Sequence, residues 1–331
     1  MPLVNPFVEA GRWYRACFHA HTTNSDGLMP PDSLVRHYRT AGFDILAITD
    51  HWRVTDASAS STADFLVLPG IEYNARGPEA GALRLFHIVG IGVQSPVEGA
   101  NTPAAFVAAI HAQGGFAIVA HPSWSGLQGA DLFTAAGADA VEVWNAGCEL
   151  EVARGDSSAQ WDIALSRGAT LGGIAADDSH YPGFDSARAW VALHLEDLTP
   201  ASVLDALRTR RYYASTGPSI QSVDANGDEV QVTCSAARQI HLVGPPPFGA
   251  GLVAGTMGLS HRAERARRGD GWAEGSGAEA LTGGTFHLAS HLSWFRLVVE
   301  DFSGRRAWTN PFWRTELGWS GFPVSADLPA T

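Results

Sequence analysis

The chain of 331 residues contains no lysine; all 22 of its basic residues are arginine. That absence excludes Schiff-base chemistry, the lysine of a phosphate-binding P-loop and the carboxylated lysine that bridges metals in some hydrolases. Cysteine is nearly absent too. Cys17, Cys148 and Cys234 lie far apart, so they make neither a disulfide framework nor a zinc knuckle, and a reducing cytoplasm is the expected compartment. No apolar run approaches the roughly 20 residues needed to span a bilayer. The start, MPLVNPFVEAGRWYRACF, lacks the basic and apolar regions of a secretory signal, so no membrane partner is expected. Positive charge is scarce: 34 acids against 22 bases leave a net charge of −12. A long nucleic acid is therefore a poor fit, because a phosphate backbone needs a basic surface. What is plentiful is apolar residues, at 45% against 17% charged, enough for a large core and too many for wholesale disorder.

Short apolar runs alternate with helix-length segments from about residue 16 to 216. Expected strands are 16–21, 45–51, 67–73, 85–92, 117–122, 140–145, 171–180 and 187–194. They are almost continuously apolar, as parallel strands buried on both faces are. Helical patterns fill 30–42, with Asp32 at its start, and 102–115, 157–167 and 200–209. The alternation predicts an α/β fold, either a parallel barrel or an open sheet. The pattern changes after Ser215. Period-two alternation around Asn226-Gly227 predicts a hairpin, and 295–313 predicts two strands around Ser303-Gly304. The expected organisation is a domain over 1–217 and a small antiparallel β module over 218–331, with a Gly/Pro-rich loop at about 245–284. Trp294, Trp308, Trp313 and Trp319 read as exposed aromatics of that module. The arginine cluster at 262–268 reads as a solvated loop.

The chemistry lies where histidines and acids meet strand ends. His19 and His21 close the first strand, and Asp26 follows. His51 closes the second, Glu72 the third and His121 the fifth. His87 sits in the fourth, and Asp178 and His180 end the seventh. In parallel α/β architectures the C-terminal strand ends converge on one face. Residues i and i+2 of a strand point the same way, which pairs His19 with His21 and Asp178 with His180. Six histidines and three carboxylates form a donor set for Mn, Zn or Fe. One ion takes four to six donors, so nine imply two or three ions. Asp50, beside His51, reads as an orienting group, and Asp177 as a supporting group or proton shuttle. His37, His111 and His194 fall in or beside helices and read as structural; His241, His261, His287 and His291 fall in the β module.

The segments HAHTTNSDG, AITDH, LPGIE, FHIVGIG, AHP and DDSH, in this order, resemble the PHP (polymerase and histidinol phosphatase) superfamily of metal-dependent phosphoesterases over about residues 13–216. The later segment ARAWVALHLEDLTPASVLDALRTRRYYASTGPSI and the tail RRAWTNPFW resemble the CehA/McbA-type metallohydrolase branch, named after enzymes that hydrolyse the carbamate carbaryl. The resemblance implies a distorted (βα)7 barrel with a trinuclear site. Its first metal would take His19, His21, Glu72 and Asp178. The second would share Glu72 and take His87 and His121, and the third would take Asp26, His51 and His180. The implied activity is hydrolysis by a metal-bridging hydroxide, with Glu72, Asp178 and His180 as catalytic residues. The expected substrate is a small-molecule phosphomonoester or phosphodiester; the alternative is a carbamate or carboxylic ester. Trp52, Trp124, Asn145 and Arg188 are the candidates for binding it. Arg53 and Arg84 are weaker candidates for clamping its oxygens. A Cys148 nucleophile would need a histidine base, and the histidines serve better as ligands. Nothing in the sequence fixes an oligomeric state.

Overall fold

The computed structural model describes residues 5–7, 10–76, 85–259, 272–316 and 318–321. They divide into two compact units. One comprises Ala10–Arg208 and Tyr212–Thr216; the other comprises Gly217–Thr331 with Thr209–Arg211 and Met1–Glu9.

The first unit is a mixed α/β structure. Its elements are β1 (Arg12–Cys17), α1 (Pro31–Thr40), β2 (Ile45–Ile48), β3 (Leu66–Arg76), β4 (Leu85–Ile91), α2 (Pro103–Ala112), β5 (Phe116–Ala120), β6 (Ala140–Asn145), α3 (Ala146–Val152), α4 (Ser158–Ser166), β7 (Gly172–Ala176), β8 (Trp190–Leu195), α5 (Pro200–Arg208) and β9 (Tyr212–Ser215). β1–β2–β3 and β5–β6–β7 pair parallel. Between them β4 runs antiparallel to both β3 and β5, and β8 runs antiparallel to β1 and β9. An all-parallel reading of these strands is therefore corrected. The physical reason is legible: β3 ends at Arg76 and β4 begins at Leu85, and a parallel crossover needs a dozen or more residues.

Alternate strand residues face two layers. Ala16, Phe18, Ile45, Ala47, Leu66, Leu68, Ile118 and Ile174 join one buried cluster. Cys17, Leu46, Ile48 and Val67 join another, under Leu34, Val35 and Tyr38 of α1. This two-sided burial explains the continuous apolar runs. Asp32 is not the cap of α1: Pro30 holds that position, and Asp32 lies within the first turn, where its charge still suits the helix dipole. α2 has a side-chain cap, Thr102 Oγ1 accepting from Ala105 N at 3.3 Å, a contact worth about 1 kcal/mol. Beyond β1 and β7, Asp178 N donates to His19 O and His21 N donates to Ser179 O, both at 2.9 Å. These bonds join the far ends of the path that runs from β1 to β7.

Among its described residues the second unit is all β. It contains β10 (Ile220–Asn226), β11 (Glu229–Ala237), β12 (Gln239–Val243), β13 (Gly249–Val253), β14 (Met257–Leu259), β15 (Trp272–Ser276), β16 (Leu281–His287), β17 (Trp294–Glu300), β18 (Arg306–Thr309), β19 (Phe312–Thr315) and β20 (Gly318–Ser320). The expected hairpin is β10–β11, turning at Asn226–Glu229, where Gly227 takes φ +58° as such turns require. β17 and β18 flank Gly304, as expected. The expected loop at 245–284 is corrected, since it carries β13, β14, β15 and the start of β16. Glycine there serves packing: a Cβ on Gly284 would stand 2.2 Å from Leu252 Cδ1. Trp294, Trp308 and Trp319 are buried in this unit, and only Trp313 is part-exposed, which corrects the exposed-aromatic reading. The arginine cluster at 262–268 lies outside the described residues. Among those described, no helix is long and apolar enough to cross a membrane.

Candidate metal centre

Nine donors from separate segments meet in one place. His19 and His21 follow β1, His51 follows β2, His121 follows β5, and Asp178 and His180 follow β7. Glu72 differs from the strand-end expectation, since β3 runs on to Arg76, while His87 sits inside the fourth strand as expected. They lie within the antiparallel β3–β4 hairpin, where Glu72 pairs with Val89 and His87 with Asn74 and Ala120. Asp26 sits on a loop that doubles back: Gly27 N donates to Thr22 O at 3.0 Å. A Cβ on Gly27 would stand 2.3 Å from His21 O, so only glycine allows that approach. His121 (φ +27°) and Asp178 (φ +52°) hold left-handed backbone, a strained state that persists where surroundings enforce it.

The donors form three overlapping sets: His19, His21, Glu72 and Asp178; Glu72, His87 and His121; and His21, Asp26, His51 and His180. Within each set the donor atoms lie within 4.8 Å of one another. His21 belongs to two sets and Glu72 to two. Glu72 Oε2 is 3.0 Å from His19 Nε2 and 3.1 Å from His21 Nε2. Glu72 Oε1 is 2.7 Å from His87 Nδ1 and 3.5 Å from His121 Nε2. Asp26 carboxylate oxygens stand 3.5 Å from His51 Nε2 and 3.4 Å from His180 Nε2.

Protons alone satisfy this arrangement poorly. The Nε2 atoms of His19 and His21 face each other at 3.1 Å. Asp178 Oδ1 is 3.1 Å from His19 Nε2 yet, like His51 Nδ1, is buried without a hydrogen-bond partner. Buried polar atoms are almost always partnered, and a cation among these N and O donors would supply what is missing. Electrostatics point the same way. Burial would raise the Glu72 and Asp178 carboxyls, but His19 above all, with His121 and His21, holds both well below the usual range. Burial likewise disfavours charge on His19 and His21, yet Asp178 and Glu72 drive His19 well above its ordinary value and His21 up to about 9. Protons take the place a metal ion would displace them from.

A supporting shell fixes the donors. The sequence reading missed Glu142, the lone acid in the apolar strand β6 and fully buried. Its Oε1 accepts from His19 Nδ1 at 2.7 Å, and its Oε2 accepts from His121 N and Asn145 Nδ2, both at 2.8 Å. One charge inside AVEVWN was the available signal. Asp50 acts as an orienting group, accepting from Thr22 N and Oγ1 and from Ser25 and Thr55 hydroxyls. Asp177 points away from the donors, accepting from Tyr38 OH and the amides of Ala187, Arg188 and Ala189. Burial pushes its carboxyl up to about 6 against those bonds, and it serves as a strap. His37 and His111 bind Ser186 and Asp139, and His194 packs on Trp13, all outside the donor sets.

A cavity of about 560 Å³ opens above the donors, within the range of small-molecule sites. Of the four substrate-binding candidates, only Trp124 lines it. Trp52 instead donates to Asn74 Oδ1 at 2.6 Å and packs edge-on against Tyr73 and Phe106. Asn145 is buried as the cap of α3, bonding Glu142 and Asp178. Arg188 spends its guanidinium on Phe184 O. Arg53 does not line the cavity, and Arg84 lies outside the described residues. Cys148 does line it, but burial, then Asp178 and Glu142, push its thiol up; burial takes Cys17 to about 12 and Cys234 to about 11. Thiolate is the reactive form. The folded protein should therefore leave an aromatic disulfide reagent unreacted at pH 8, with three thiols appearing on denaturation. Rapid release of one equivalent from folded protein would restore Cys148 as a nucleophile.

No family model and no curated protein matches the chain. Among solved structures, it is similar to a two-domain protein of Bacteroides vulgatus ATCC 8482 that contains a predicted PHP-like metal-dependent phosphoesterase. The identity is 16% over 91% of this chain and 94% of that one, with a TM-score of 0.47. It is similar to an amidohydrolase from Chromobacterium violaceum with bound sulfate and no metal, at 18% identity over 60% of this chain and 96% of that one, TM-score 0.40. It is also similar to a protein from Bifidobacterium adolescentis ATCC 15703 described as a metal-dependent phosphoesterase, at 16% identity over 58% of this chain and 95% of that one, TM-score 0.38.

Proposed function

We propose that this chain is a metal-dependent hydrolase of small-molecule phosphoesters, built on a distorted (βα)7 barrel of the PHP type and holding two to three ions of Mn, Zn or Fe. The observation that supports the reading is the overlap of three donor sets through His21 and Glu72 at the floor of one cavity. The ions would be held by His19, His21, Glu72 and Asp178; by Glu72, His87 and His121; and by Asp26, His51 and His180 with His21. Such ions, when bound, make a water acidic near neutral pH and neutralise charge that builds on the scissile ester.

The chain's own residues do the rest. Glu72 presents one oxygen to each side of the cluster. Glu142 accepts the Nδ1 proton of His19 and so leaves Nε2 as a lone-pair donor. Trp124 lies edge-on to His87 and His121, with ring centroids 5.8 and 5.0 Å away, and shields that side of the floor from water. His51, His180 and Asp26 are the more open donors and face the space where substrate oxygens arrive.

Elemental analysis should find two to three equivalents of Mn, Fe or Zn per chain after growth with metal. One equivalent or none would overturn the multinuclear reading. The reaction is tested with p-nitrophenyl phosphates, phosphodiesters, carboxylic esters and a methylcarbamate. Turnover of the phosphorus esters is expected; turnover confined to the carboxylic ester or carbamate would move the activity to those bonds.

A further inference from the structure

The wall of the cavity differs from its floor. Above the donors stand Trp124, Leu150, Tyr181 and Phe184, which are 37%, 39%, 58% and 57% exposed. Large apolar side chains gathered in water at the mouth of a site mark a binding surface, whereas scattered ones do not. This wall is also held in place. Asp185 accepts from Ser179 Oγ and from the amides of His180 and Tyr181, at 2.7, 2.7 and 2.8 Å. Ser186 Oγ accepts from Gly183 N at 2.8 Å, and Arg188 grips Phe184 O from outside the cavity. The loop thus uses its polar groups to hold Tyr181 and Phe184 toward solvent. A preorganised apolar wall binds without the cost of ordering it.

Charge narrows the occupant. Among the described residues no arginine lines the cavity, and the chain has no lysine. Of the lining acids, Asp26, Glu72 and Asp178 belong to the donor sets and Asp185 is engaged by the loop. Glu151 stands exposed at the mouth beside the apolar wall. An anionic group seated against that wall, away from the donor sets, would meet the like charge of Glu151 and no arginine or lysine.

We infer that the wall binds the leaving group of the substrate and selects one that is apolar and carries no negative charge, in preference to a sugar phosphate or nucleotide. The role as leaving-group site rests on the hydrolase reading above; the charge and polarity preference does not, and binding measures it without turnover. The probes are two phenols of similar size, 4-tert-butylphenol and 4-hydroxybenzenesulfonate, titrated calorimetrically into the metal-supplemented full chain. The neutral phenol should bind at least about tenfold more tightly. Phe184→Ala should weaken the neutral phenol and shrink the gap, and Glu151→Arg should shrink it by strengthening the sulfonate. Equal or tighter sulfonate binding by the wild-type chain would overturn the inference, as would an undiminished gap in both variants. If the preference holds while no ester is hydrolysed, the hydrolase reading fails and the binding preference stands.

Discussion

Glu72→Gln is expected to lower kcat/KM by on the order of 1,000-fold and to remove at least one equivalent of bound metal, with the fold intact. The substitution keeps the volume of a side chain that is 1% exposed, so packing gives little reason for unfolding. What changes is charge and donor direction. Glu72 Oε2 faces His19 and His21 while Oε1 faces His87 and His121. An amide retains one acceptor and turns an NH2 toward imidazole nitrogens on the other side. Whichever way it flips, one donor set loses an oxygen, and the site loses one negative charge. Metal content, circular dichroism and kcat/KM on one preparation separate these effects from misfolding. Full activity with full metal would reduce Glu72 to an acid that happens to lie near the histidines.

The positions of these donors were legible in the sequence for a specific reason. Imidazoles and carboxylates within or just after apolar strands are costly unless something compensates them, so all but Asp26, which lies on a polar loop, stood out against an apolar run. The i, i+2 rule placed His19 beside His21, and the Nε2 atoms do meet at 3.1 Å. The apolar run of β6 and the period-two alternation of the β10–β11 hairpin were equally visible. What failed to show was strand direction. An apolar run reads the same parallel or antiparallel, and only the short spacing between β3 and β4 carried the distinction. Glycine-rich β13 and β16 read as loop because their ladder is made by backbone and their close packing requires small residues. The cavity wall was hidden as well. Tyr181 and Phe184 come together with Trp124 and Leu150 through a loop held by Asp185, and loop conformation leaves no periodic signature. Arg188 and Asn145 were plausible substrate contacts by their place in the chain, but hydrogen bonding turns both to bracing.

Glu142 gives the second large effect, and it acts through other residues. As a carboxylate it can only accept hydrogen bonds, and it takes three: from His19 Nδ1, His121 N and Asn145 Nδ2. Each matters to the cluster above. In the neutral ring that would hold an ion, the bond from Nδ1 keeps the remaining proton of His19 off Nε2, the atom facing Glu72 and Asp178. The bond from His121 N anchors a residue in left-handed backbone. Asn145 in turn donates to Asp178 Oδ2 at 3.1 Å. Glu142→Gln has the same shape but one side of it now donates. If the NH2 faces His19, the imidazole must accept at Nδ1 and carry its proton on Nε2, which blocks that donor. If the NH2 faces His121 N and Asn145 instead, donors oppose donors in a buried site. Both outcomes should weaken metal binding by about 10- to 100-fold, the usual cost of losing such a support. Glu142→Ala should be worse, because it leaves buried donors unpaired at about 1–3 kcal/mol each and lowers Tm accordingly. Competition with a chromophoric chelator gives the affinity, and nitrogen chemical shifts of labelled histidine report the tautomer of His19. If Glu142→Gln binds metal like the wild type with the Nδ1–H form retained, the His19 tautomer is set elsewhere and Glu142 serves packing alone.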